Sequence, residues 1–239
     1  MTRDKRPYWR DCLVVSLVVG VIGVTFGVFA DAAGFDLAQI MVMSAFVFTG
    51  ASQFAAVGVI DDGGSGGAAV GSALLLAARN ALYGPVARRT LPAATLGRLA
   101  SAHFVIDETT AMAAAQHDRR DAAGAFWITA TTLWLFWNGG SIAGALLGAV
   151  MGEPETWGLD AAFPAMFVAL LAPHVRTAAG RTAAAVAAAV AFGAVPVAAS
   201  GIPILLAVSA LLPAVFVQRR RGSSGTGTSE VGNDSGVSS

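Results

Sequence analysis

Arg79, Asp107 and Glu108 stand well inside long apolar runs, whereas most of the other charged side chains lie between such runs or at the chain ends. An ionised group at the centre of a bilayer costs about 2.5–3.5 kcal/mol on insertion scales, so residues of this kind face a protein interior and handle ions, protons or polar ligands. Asp107 and Glu108 are adjacent, about 100° apart if helical, and cannot both face one ligand. One carboxylate can therefore pair with Arg79 while the other takes up and releases a proton. Tyr83 follows Arg79 by one helical turn, and Asn80 adds an amide beside it. In Phe48-Thr49-Gly50-Ala51-Ser52-Gln53-Phe54, Gly50 permits a helix break or a close approach. Ser52 and Gln53 can then satisfy freed backbone groups or hold a ligand. Asp160, in Gly158-Leu159-Asp160 and ahead of Pro164, reads foremost as a helix N-cap.

Other chemistries lack their residues. Cys12 is the single cysteine, so neither an intrachain disulfide nor a thiolate cage can form. His103 and Asp107 stand at i, i+4, but no second ligand set accompanies them, and no metal or cofactor is expected. Ser52 could be a nucleophile in an intramembrane hydrolase, although no histidine stands in an evident partner position.

The elements that must position these groups are apolar helices. The 239 residues are 55% hydrophobic and only 13% charged, against about 25% charged in soluble domains. The composition predicts an all-α, polytopic helical membrane protein, and the absence of strict alternation excludes a barrel. Eight apolar segments can be marked: 12–30, 37–60, 68–87, 99–115, 122–150, 159–171, 183–199 and 202–217. The first, too long for a signal-peptide core, reads as an uncleaved span. In domain terms the chain reads as a basic cytoplasmic amino terminus (1–11), one transmembrane transport domain (12–217) and a disordered cytoplasmic tail (218–239). Trp127, Thr131, Trp134 and Asn138 share a helical stripe suited to lipid or helix contact, and Asn138-Gly139-Gly140-Ser141 is a candidate break in the long fifth segment.

Arginine placement orients the chain. The amino terminus, Arg88 to Arg98, Arg119 with Arg120, Arg176 with Arg181, and Arg219 to Arg221 all favour the cytoplasm, so both termini are expected inside a cell (plasma) membrane. Eight full crossings would leave Arg88, Arg89 and Arg98 outside. If 37–60 dips in from outside and 99–115 dips in from the cytoplasm, six segments cross and every loop agrees. The expectation is thus six to eight membrane segments, with two candidates for interrupted or re-entrant segments in inverted arrangement, the usual location of a carrier's binding site.

Phe48 to Val57, Arg79 with Leu82-Tyr83-Gly84, Asp107-Glu108, and Gly158-Leu159-Asp160 through Leu171 together resemble the azlC family of branched-chain amino acid permeases, in order and spacing from about Asp11 to Val217. The chain departs at Asn80, where the family often has His, and at Ile106, where it often has Thr. The resemblance implies the large subunit of a two-component exporter that works with a small hydrophobic azlD-type membrane subunit and moves valine, leucine, isoleucine and sometimes methionine outward. It makes Arg79, Asp107, Glu108, Ser52, Gln53, Asn80, Tyr83 and Asp160 the substrate-binding or coupling set. A zwitterionic substrate would place its carboxylate at Arg79 or at a half-helix amino end near Gly50 to Gln53, and its ammonium at Asp107 or Glu108. A carboxylate at depth is the simplest carrier for proton antiport. A channel or transporter for another small solute remains the other reading of the same residues.

Overall fold

The computed structural model describes residues 8–84, 87–88, 95–151, 168, 171–172, 174–198 and 202–207. Every regular element among them is helical. The chain divides into two compact units, residues 1–166 and 167–239. Asp160, nearly all of the 159–171 segment, the basic start before Tyr8 and the 218–239 tail lie outside the described residues.

The first unit is organised on two long helices, α1 (Tyr8–Ala32) and α7 (Arg119–Met151), both long and apolar enough to cross a bilayer. They are parallel, because their partners ascend together. Cys12 Sγ meets the Ala125 carbonyl at 3.7 Å, Ser16 Oγ meets Thr132 Oγ1 at 2.8 Å, and Gly27 packs on Ser141 and Ala145. Small residues make this approach possible. A methyl at Gly27 would collide with the Ser141 carbonyl, and one at Gly144 with the Val24 carbonyl. The Asn138-Gly139-Gly140-Ser141 stretch does not break α7. Asn138 Nδ2 donates to the Trp134 carbonyl (2.8 Å) and Ser141 Oγ to the Trp137 carbonyl (2.8 Å). Gly140 there serves contact with Gly20 and Val24 rather than a kink.

Beyond α1 the chain turns at Gly34, whose φ of 83° is left-handed and suits glycine. It then enters α2 (Leu37–Phe46), opened by a capping box: the Gln39 N–H donates to Asp36 Oδ1 (2.8 Å) and the Asp36 N–H to Gln39 Oε1 (2.9 Å). α2 stops at 47–49 and α3 (Gly50–Asp61) begins. The chain reverses there, because Gln53 Nε2 donates to the Met43 carbonyl at 3.0 Å, whereas ten residues of uninterrupted helix would separate them by about 15 Å. Phe54 in turn packs on Phe26 and Phe29, so α3 runs back toward the end of α1 from which α2 came.

A turn through Gly63 (φ 75°) leads to α4 (Gly66–Ala77), capped by Ser65 Oγ accepting from the Ala68 N–H at 3.2 Å. Val59, Ala68 and Ala69 form the core of the α3–α4 hairpin. A 3-10 helix, Ala78–Tyr83, continues α4. Ala87 then packs against Ala113, Phe126 and Ala130, toward the amino end of α7.

The second interrupted stretch comprises α5 (Thr95–His103), a break at 104–106 and α6 (Asp107–Ala114). Because Ala87 and Ala113 share one cluster at α7, the chain between them leaves and returns to the same end of that helix. In the second unit, Thr177 Oγ1 accepts from the Gly180 N–H (3.0 Å) to cap the alanine-rich α8 (Ala178–Ala194), which packs with α9 (Ile202–Ala207).

Candidate functional site

The two breaks face each other. His103, the last residue of α5, places Nε2 3.1 Å from the Ala45 carbonyl near the end of α2, and its ring stacks on Phe48 with centroids 5.9 Å apart. Trp134 Nε1 donates to the same carbonyl at 3.3 Å. Phe104 stands edge-on to Phe48 and Trp127. The tryptophans of the α7 stripe thus contact the broken segments. The 104–106 break also separates His103 and Asp107 into different helices and removes the i, i+4 face they would share.

Thr109 holds that break together. Its Oγ1 lies 2.6 Å from the Phe104 carbonyl and accepts from the Ile106 N–H at 3.1 Å. Asp107 and Glu108 consequently occupy the first turn of α6, where a helix amino end favours negative charge. Arg79 Nη1 lies 3.4 Å from Asp107 Oδ2, each side chain about one third exposed (34% and 35%). The Tyr83 hydroxyl interacts with the same carboxylate. The pairing expected between Arg79 and one of the two carboxylates is therefore made with Asp107.

The antiparallel α3–α4 hairpin sets the level of this pair. Counting back from the Val59 contact with Ala68 and Ala69 at equal rise places Arg79 beside the start of α3. The amino ends of α3 and α6 and the Arg79–Asp107 pair therefore lie at one depth, where the backbone of both broken segments opens. Ser52 and Gln53 are buried on α3, at 1% and 0% exposure.

Several polar atoms here are closed off without a partner: Arg79 Nε, Asn80 Oδ1, Asp107 Oδ1, Ser52 Oγ, Gln53 Oε1 and Trp137 Nε1. Buried polar groups are normally satisfied; among the described residues Ser72 Oγ and Thr129 Oγ1 are closed off in the same way. The structure brings Arg79, Asn80, Tyr83, Asp107 and Glu108 into one neighbourhood, with Ser52 and Gln53 on the adjoining α3; Asp160 lies outside the described residues. Sequence reasoning passed over His103 as a joint between the breaks and Trp137 as a group beside Gly50. Neither carries a signal in the hydropathy pattern.

A family model described as AzlC protein matches residues 14–151, a stretch that contains both breaks and the ion pair and ends before the Gly158–Leu171 block. No curated protein and no solved structure matches the chain. With more than half of its length matched, the chain belongs to the AzlC protein family.

Proposed function

We propose that this chain is a secondary transporter that exports branched-chain amino acids (valine, leucine and isoleucine, with methionine as a further substrate) by proton antiport. In this reading it is the large subunit of a plasma-membrane system completed by a small hydrophobic azlD-type partner. The observation that carries the proposal is the meeting of two broken helices beside a charged pair at one depth. Membership of a family associated with branched-chain amino acid transport supplies the substrate class.

The same geometry favours the six-crossing topology. The α2–α3 hairpin dips from the carboxyl end of α1, and the α5–α6 stretch dips from the opposite end, where Ala87, the amino end of α7 and Arg119 lie. Tyr8 at the start of α1 reaches Gly124 near the start of α7, so the two basic ends fall on one side, the cytoplasm by arginine bias. Broken helices entering from opposite faces expose backbone donors and acceptors at mid-depth, as carriers of small zwitterions require.

The substrate ammonium finds acceptors in Asp107 Oδ1 and Asn80 Oδ1, both without a partner. Arg79 engages Asp107, leaving Glu108, the neighbouring carboxylate, as the proton carrier. One methylene of an apolar substrate side chain is worth about 1–3 kcal/mol in an apolar pocket, so discrimination among aliphatic residues is loose. The hydrolase reading requires a base at Ser52, whereas the His103 ring is engaged with the Ala45 carbonyl and Phe48.

Efflux of labelled valine, leucine and methionine from dipeptide-loaded cells tests the proposal. Export that requires the small partner, falls at least tenfold in Arg79→Ala, and loses its dependence on the proton gradient in Glu108→Gln is the expected result. Wild-type proton dependence in Glu108→Gln removes Glu108 as the carrier, and absence of aliphatic efflux removes the substrate assignment.

A further inference from the structure

We infer that Trp137 is a substrate-binding residue whose indole N–H, together with the amino end of α3, seats the carboxylate of the transported amino acid. The inference rests on the transporter reading above and deepens it.

The argument begins with the unmet groups at the start of α3. The Ser52 and Gln53 N–H groups both turn back to the Thr49 carbonyl, at 3.0 and 3.2 Å. Among the described residues, the Gly50 and Ala51 N–H groups find no acceptor, and Thr49 provides no side-chain cap. Ser52 Oγ, one turn inside, is buried and also unpartnered. Across from them stands Trp137, only 4% exposed, its Nε1 closed off without a partner.

Trp137 is close enough to share a ligand with α3. A methyl on Gly50 would lie 2.8 Å from its Cη2 and 3.3 Å from its Cζ2. Cζ3 follows at 3.4 Å, so it is the tip of the six-membered ring that covers Gly50, with Nε1 three bonds along the ring from that tip. Stacking on Phe26, with centroids 5.9 Å apart, holds the ring in that position.

The chemistry of the set is one-sided. Gly50 N–H, Ala51 N–H and Trp137 Nε1–H are donors only, and Ser52 Oγ–H can donate. What they lack in common is an acceptor with several lone pairs, and a carboxylate offers about four such sites while its charge suits a helix amino end. Arg79, the other candidate for this role, already lies 3.4 Å from Asp107. The unmet groups around that pair include the acceptors Asp107 Oδ1 and Asn80 Oδ1, which fit the opposite end of a zwitterion. Gly50 is thereby explained as well: a side chain there would run into the indole and displace it.

Trp137→Phe removes the N–H and keeps an aromatic ring against Phe26; Ser52→Ala is the second, smaller change. Binding to the purified full-length protein is measured for leucine, for leucinamide, which lacks the carboxylate, and for 4-methylpentanoate, which lacks the amine. Loss of a charge-assisted hydrogen bond weakens binding about tenfold or more. The expected result is that Trp137→Phe, and to a lesser degree Ser52→Ala, weaken leucine and 4-methylpentanoate by that factor and leave leucinamide unchanged. Equal leucine binding by wild type and both variants overturns the seat while leaving amino acid transport standing. If 4-methylpentanoate binds in a Trp137-dependent way and leucine does not bind, the seat stands and the amino acid reading falls. If neither carboxylate binds, the seat is overturned.

Discussion

Thr109 joins the two sides of the second break, and it does so through one hydroxyl that the Ile106 N–H and the Phe104 carbonyl both approach. Thr109→Val keeps the shape and orphans both backbone groups. It is expected to cost about 1–3 kcal/mol, seen as a lower unfolding temperature in detergent, whereas Thr109→Ser stays near wild type. A Thr109→Val protein as stable as wild type would show that the break is held by packing instead. The Arg79–Asp107 pair has a different use. With each side chain one third exposed, it contributes about 1 kcal/mol or less to stability, so a demand other than stability has to account for three ionisable residues at that depth. These residues were legible in the sequence because a charge inside an apolar run is a large contrast. Trp137 and His103 were not, since an aromatic among aromatics looks like packing until its N–H is found without an acceptor or its ring is found bridging two chain breaks.

At the scale of elements, the parallel α1–α7 pair is the frame against which the broken segments pack. Its close approach depends on glycines facing backbone, as at Gly27 and Gly144. Gly27→Ala forces a methyl into the Ser141 carbonyl and is expected to destabilise by about 1–3 kcal/mol, as overpacking does. Gly139→Ala, with nothing within 4 Å, serves as the tolerated control. Equal thermal unfolding of the two variants would contradict this packing. Among element assignments, the breaks in 37–60 and 99–115 were legible because polar atoms and Gly50 interrupt apolar runs. The same logic misread Asn138 to Ser141, where the polar side chains bond back to their own helix and the glycine faces a neighbour. A polar cluster with glycine fits both outcomes, and only the facing helix distinguishes them.

For the whole molecule, the reversal at 47–49 and the return of the chain from Ala87 to Ala113 set the expected topology. In a Cys12→Ser background, Ser65→Cys is expected to react with an impermeant thiol reagent from outside the cell, and Thr95→Cys only after the cytoplasmic face is opened. Labelling of Thr95→Cys from the outside, with Ser65→Cys reached only from the cytoplasmic face, would restore eight full crossings. A helical membrane protein, its charges inside apolar runs and its family resemblance were all determined by the sequence alone, because each follows from local composition, spacing or run length. Which carboxylate Arg79 takes, the parallel pairing of α1 with α7, the reversal between α2 and α3 and the meeting of the two breaks through His103 were decided only by tertiary structure. Those features depend on contacts between residues tens of positions apart, and a pattern of apolar runs is the same whether a segment crosses the membrane or turns back halfway.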